Sequence, residues 1–213
     1  MNIEKLKQNF ELMPVVAIIR GVRPDEALAI GQAIADSGIR IIEVPLNSPE
    51  PLKSIEKLAT AMGDEYVIGA GTVVTPDDAK AVADVGGQII VSPNTDIAVI
   101  DQTLASGLVP MPGWATASDA YTAYNAGARY LKLFPAGTYG IGHVKATRTV
   151  LPDDVRLLSV GGVGAGEVKE WLAAGIDGFG IGSELYKPGF SAEEVGQRAE
   201  AIVAAVNAAR GND

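Results

Sequence analysis

The sequence predicts a (β/α)8 TIM barrel with an extra N-terminal helix, built as one domain over residues 1–213. Three observations carry this expectation. Eight short apolar runs recur along the chain, at 15–20, 39–46, 66–72, 88–93, 108–113, 130–135, 156–162 and 178–183. Each is continuous rather than alternating, as parallel strands covered on both faces should be, and each is followed by a stretch of helical period such as 25–36. A glycine-bearing pair stands before five of the runs, Ser37-Gly38, Val85-Gly86, Ser106-Gly107, Ala126-Gly127 and Ala174-Gly175, where a left-handed residue closes a helix and turns the chain into a strand.

The elements follow in order. Ile3, Leu6, Phe10 and Met13 recur at roughly helical spacing, so the N-terminus reads as a short amphipathic helix laid across an apolar surface. Helix starts are signalled by Pro24-Asp25-Glu26, Ser48-Pro49-Glu50, Thr75-Pro76-Asp77, Thr116 to Asp119 and Ser191 to Glu194, which place Pro or acid in the first turn. The resulting units repeat about every 20 to 27 residues without a linker or a change of composition. Eight units in 213 residues require compact loops. An open doubly wound sheet is the competing arrangement, but its dinucleotide fingerprint is missing: Gly69-Ala70-Gly71 lacks the third glycine and Gly161-Gly162-Val163-Gly164 has the wrong spacing.

Composition narrows the chemistry. With 26 Asp plus Glu against 17 Lys plus Arg, the formal charge is −9, which repels polyanions, so no nucleic-acid partner is expected. There is no cysteine, which excludes disulfides, thiolate metal sites and a cysteine nucleophile, and a single His143, which disfavours a His-rich metal cage. No run approaches a membrane span, and the N-terminus lacks a signal-peptide core, so a soluble, cytoplasmic protein is expected.

In a barrel, function gathers at the carboxyl ends of the strands, and an ionisable residue inside an apolar strand is the most telling feature. Lys132 lies within Tyr130-Leu131-Lys132-Leu133-Phe134, Glu43 within Ile41-Ile42-Glu43-Val44-Pro45, and Arg20 ends the first run. Period-2 geometry sends Leu131 and Leu133 to one face and Lys132 to the other, so leucines facing the helices put Lys132 in the barrel interior. A structural Lys132–Glu43 ion pair is one explanation. Burial of such a pair costs several kcal/mol, however, which favours a use for it. Desolvation and a nearby Arg20 would both lower the lysine pKa from about 10.4, giving an amine able to form Schiff bases with ketones. Glu43 could move protons through a bound water, and Arg20 offers a planar fork for a carboxylate or phosphate. Thr72 would present a hydroxyl at the mouth. The strand ends Val160-Gly161-Gly162-Val163 and Gly180-Ile181-Gly182-Ser183 suit a phosphate monoester, because glycine lets backbone N–H groups approach an anion. His143 reads as a surface or supporting residue, and Trp114 and Phe134 as lining or packing the cavity.

These residues resemble a known family. Ala17-Ile18-Ile19-Arg20-Gly21, Glu43 to Pro49, Gly69-Ala70-Gly71-Thr72-Val73, Ser92-Pro93-Asn94, Pro112 to Thr116, Lys132-Leu133-Phe134-Pro135 and Val160-Gly161-Gly162-Val163 together resemble the class I aldolases of the KDPG/KHG family, which cleave 2-keto-3-deoxy-6-phospho sugar acids. The resemblance covers nearly the whole chain. It implies Lys132 as the Schiff-base residue and Glu43 as acid and base. Arg20 and Thr72 would hold the carboxylate end or nearby oxygens, while Gly161, Gly162, Gly182 and Ser183 would hold the phosphate. Pro93 and Phe134 would shape a pyruvate pocket.

Asn47 and Val160 are similar to the galactonate-type members, where the gluconate type places arginine and threonine. Val160, unable to hydrogen-bond a hydroxyl, would select one C4 configuration by packing. The resemblance implies a phosphorylated keto sugar acid as substrate, pyruvate as a product, a homotrimer, and neither metal nor organic cofactor. A gluconate-specific aldolase, a sugar-phosphate isomerase or epimerase, and a non-catalytic phosphosugar-binding barrel are the alternatives.

Overall fold

In a computed structural model describing residues 2–211, helix α1 (Asn2–Leu12) precedes β1 (Val15–Ile18), and strands then alternate with helices. These are α2 (Ala27–Asp36), β2 (Ile41–Pro45), α3 (Pro51–Met62), β3 (Val67–Gly71), α4 (Pro76–Asp84), β4 (Ile89–Val91) and α5 (Ile97–Ala105). The chain continues through β5 (Val109–Met111), β6 (Gly113–Trp114), α6 (Ala117–Asn125), β7 (Tyr130–Leu133), α7 (Ala136–Arg148) and β8 (Arg156–Val160). A 3-10 turn, Ala165–Glu167, leads into α8 (Val168–Ala173), followed by β9 (Gly178–Ile181) and α9 (Ala192–Arg210).

The strands pair in parallel from β5 through β4, β3, β2, β1, β9, β8 and β7 to β6. β5 and β6 are two parts of the fifth predicted run, separated by Pro112, so the chain itself joins the two ends of this order into a barrel. Proline has no N–H to give to the ladder, hence the interruption. Its carbonyl still accepts the Lys132 N–H at 2.9 Å, which stitches β7 across the break.

Alternation along the strands builds two apolar layers. Val16, Ile18, Ile41, Val67, Ile89, Met111, Leu158 and Val160 fill the barrel, whereas Ala17, Ile42, Val44, Ile68, Leu131 and Leu133 lie in the cluster shared with the helices. The N-terminal helix stoppers the interior. Leu6 is fully buried, and Phe10 meets Tyr130 edge-on with ring centroids 5.3 Å apart. Gly178 makes room for it: a Cβ there would stand 2.5 Å from Phe10 Cζ. Ile3, on the same predicted stripe, is instead exposed, and Met13 joins the outer layer.

Three predicted helix starts carry their caps: Thr75, Thr116 and Ser191 accept from the N–H groups of Asp78, Asp119 and Glu194 at 3.1, 3.2 and 3.1 Å. Ser48 does not cap. Helix α3 begins at Pro51 behind a left-handed Glu50 (φ 42°), and the Ser48 hydroxyl accepts from Gly21 N–H at 2.9 Å, tying the loop after β1 to the loop after β2. The five glycines that precede strands have φ between 74° and 104°, as the punctuation requires.

Phe10→Ala removes the largest part of the stopper. It is expected to cost about 3–5 kcal/mol of stability in urea unfolding.

Candidate active site

Strand register decides where the charged residues go. Glu43 stands on β2 beside Ile18 of β1 and Gly69 of β3, and Lys132 on β7 beside Gly113 of β6 and Leu158 of β8. Their sequence neighbours Ile42, Val44, Leu131 and Leu133 occupy the outer layer, so both charged side chains turn into the barrel. Only 1% of Glu43 and 7% of Lys132 remain exposed.

At the carboxyl ends of β1, β7, β8 and β9 a cavity of about 590 Å³ opens. Arg20, Phe134, Gly161, Gly162, Gly182 and Ser183, all singled out from the sequence, wall it. Lys132 Nζ lies 4.7 Å from the centre of the Phe134 ring, which places the amine next to one residue of that wall. The Arg20 guanidinium donates to Asn47 Oδ1, and the Gly21–Ser48 bond fixes the backbone beside it, so two loops hold the fork. Gly161 and Gly162 both adopt left-handed φ, 87° and 76°. In that conformation Gly161 accepts the Gly137 N–H at 2.8 Å, joining the turn after β8 to the start of α7.

The structure also separates some residues that the sequence grouped. Thr72 and Pro93 follow β3 and β4 on another arc of the barrel and do not wall this cavity; Thr72 has a left-handed φ of 58°. Val160 faces the interior, its methyls filling the space that Gly180 leaves beside Ile18. Trp114, expected at the cavity, lies in the outer layer instead, because its register partner is Leu133 and not Lys132. There it stacks on His143, 5.7 Å between centroids, which in turn meets Tyr139 at 5.1 Å.

Two charged wall residues escaped the sequence reading, Glu184 and Lys187, both in the loop after β9. The Glu184 carboxylate accepts from Ala165 N–H at 3.3 Å, and Lys187 adds a second cation to Arg20. The signal available was their place directly after Gly182-Ser183, in a segment with no periodicity to aim them.

Burial dominates the electrostatics of the interior pair. Glu43 is pushed up to about 7, chiefly by desolvation, with Lys132 and Arg20 pulling the other way. Lys132 is lowered, again chiefly by desolvation; Glu43 opposes the shift and Arg20 adds to it. Among the described residues no ion pair within 4 Å joins them, and Glu43 Oε2 has no hydrogen-bond partner. Burial thus favours the neutral form of each group.

The linkage has a definite sign. Glu43 holds its proton more tightly folded than unfolded, so its contribution to stability is complete below about pH 4.5 and is lost as pH rises to about 7. Urea unfolding should show wild-type stability falling across that window relative to Glu43→Gln, in which this slope is absent.

The geometry agrees with what known proteins provide. Residues 4–209 match the family described as KDPG and KHG aldolase. The chain is 45% identical to the 2-dehydro-3-deoxy-6-phosphogalactonate aldolase of Escherichia coli (strain K12), covering 91% of this chain and 94% of that one. The solved structure of native KDPGal superimposes with a TM-score of 0.92 at 44% identity, over 93% of this chain and 97% of its own. The KDPG aldolase of Legionella pneumophila, with pyruvate captured as a covalent carbinolamine, follows at TM-score 0.80 and 28% identity, over 94% and 95%. The parallel barrel, its interior charges and this coverage lead to one statement: the chain belongs to the KDPG and KHG aldolase family.

Proposed function

We propose that this protein is a Schiff-base aldolase that cleaves 2-dehydro-3-deoxy-6-phospho-D-galactonate to pyruvate and D-glyceraldehyde 3-phosphate. The observation that carries the reading is the Lys132 amine, enclosed in the barrel interior with Glu43 and set behind a cavity that Arg20 and glycine turns surround. Lowering the pKa of this desolvated amine raises the fraction present as the free, nucleophilic base above that of an exposed lysine. A carboxyl group at about 7 can both give and take a proton there.

In this reading Lys132 Nζ attacks the C2 carbonyl, forming a C–N bond. Glu43, through a water, supplies the proton with which the resulting hydroxyl leaves as water, and an iminium remains. Loss of the C4 hydroxyl proton then breaks C3–C4. The electron pair of that bond passes into the iminium, leaving an enamine, and D-glyceraldehyde 3-phosphate departs. Protonation at C3 and hydrolysis return pyruvate and the free amine. Arg20 and Thr72 hold the carboxylate end or nearby oxygens, and Pro93 and Phe134 shape the pyruvate pocket. Gly161, Gly162, Gly182 and Ser183 hold the phosphate, whose binding helps fix C2 and C4 against the catalytic groups.

The choice of epimer rests on higher identity to the phosphogalactonate enzyme than to a 2-dehydro-3-deoxy-phosphogluconate aldolase, 45% against 31%, and on Asn47 and Val160. Val160 offers only methyl groups to the interior, so selection by packing amounts to about 1–3 kcal/mol. A homotrimer, a cytoplasmic location and a place in galactonate degradation belong to the same reading and rest on family membership.

Borohydride reduction in the presence of pyruvate is expected to leave a reduced pyruvate adduct on Lys132. An unmodified lysine would overturn the mechanism in favour of an enediolate isomerase or a binding protein. Lys132→Met should form no adduct and cleave nothing while melting as a folded barrel. Glu43→Gln should slow cleavage by about 10²- to 10⁴-fold yet still yield adduct. Steady-state kinetics on the two C4 epimers should favour the galactonate form.

A further inference from the structure

The inner face of β3 is bare where its neighbours carry side chains. Alternation turns Val67, Gly69 and Gly71 inward, while Ile68 and Ala70 lie in the outer layer. The two glycines have different reasons to be there. A Cβ on Gly69 would collide with β4, 2.2 Å from the Ile89 carbonyl oxygen and 2.4 Å from Ile89 Cγ1. A Cβ on Gly71 would meet Glu43 instead: its three nearest atoms would be Oε2, Oε1 and Cδ of that side chain, at 2.1, 2.3 and 2.4 Å.

Backbone conformation does not account for this glycine, since its φ lies outside the left-handed region. The strand has little freedom to retreat. Gly71 is in register with Pro45, its carbonyl accepts the Leu46 N–H at 2.8 Å, and Thr72 follows in a left-handed conformation. Of the two partners, the carboxylate is the one that can move. Among the described residues no hydrogen bond at Oε2 holds it against such a push.

We propose that Gly71 is a positioning residue for the aldol reaction: its missing side chain is the seat of the Glu43 carboxylate, and any larger residue at 71 turns that carboxylate away from the reacting atoms. The inference rests on the proposed role of Glu43 as acid and base. It explains why glycine stands at a strand position whose backbone tolerates other residues. Glu43 reaches into the interior from β2, and it can lie along β3 only where β3 presents hydrogen.

Four proteins test it: wild type, Gly71→Ala, Glu43→Ala and the double variant. Thermal melting should show Gly71→Ala lowering the midpoint when Glu43 is present and leaving it unchanged when residue 43 is alanine. That result is readable even if Gly71→Ala alone fails to fold, because the double variant then regains a cooperative transition. Kinetically, Gly71→Ala should lower kcat by about 10²-fold or more while KM changes far less, and should shift the limb of the pH profile near 7. An equal loss of melting temperature in both backgrounds, or wild-type kcat and pH profile in Gly71→Ala, would overturn the proposal. Failure of the aldolase reading itself appears elsewhere, as a wild-type protein that neither cleaves the sugar acid nor forms an adduct.

Discussion

The structure turns on the confinement of two ionisable side chains in a hydrocarbon interior. Glu43 and Lys132 project from β2 and β7 into a space otherwise filled by residues such as Val16, Ile41, Ile89 and Leu158. Among the described residues no direct ion pair relieves them. Each responds as a low-dielectric site requires, the acid rising and the amine falling, both chiefly through desolvation. This penalty is carried by the outer layer, where Leu131, Leu133, Ile42 and Val44 lock the same strands against the helices. The alternation that buries four aliphatic side chains is what forces the two charges inward.

The mouth is built on a different principle. Its components lie on loops, and what gives them precision is cross-bracing between neighbouring loops rather than burial. Arg20 leans on Asn47, Gly21 on Ser48, and the Gly161 turn on Gly137. Sites of this kind combine a rigid strand-borne centre with a rim whose charges, Arg20, Lys187 and Glu184, stay in contact with water. In the proposed reaction the fixed centre serves bond-making at one carbon and the rim serves recognition of the charged substrate tail.

How much of this could be read from the chain depended on periodicity. Parallel strands covered on both faces leave continuous apolar runs, so the eight staves and the glycine turns before them were legible, and parity within 130–135 sufficed to send Lys132 inward. Parity also carried the answer for Trp114, since Val109, Met111 and Gly113 take the inward positions, but the expectation for that residue did not use it. The split of the fifth stave needed its pairing on both sides, because Pro112 breaks a ladder only where a donor was required. Glu184 and Lys187 sit in a loop with no repeating pattern, and the meeting of Gly71 with Glu43 crosses between strands. Contacts of that sort depend on register, which local sequence does not specify.

The stopper at the other end bears on traffic through the molecule. With Leu6 and Phe10 filling the amino end, the interior amine communicates with bulk solvent from one side only. In the proposed reaction the sugar acid and both products therefore share a single doorway, the mouth at the carboxyl ends of the strands.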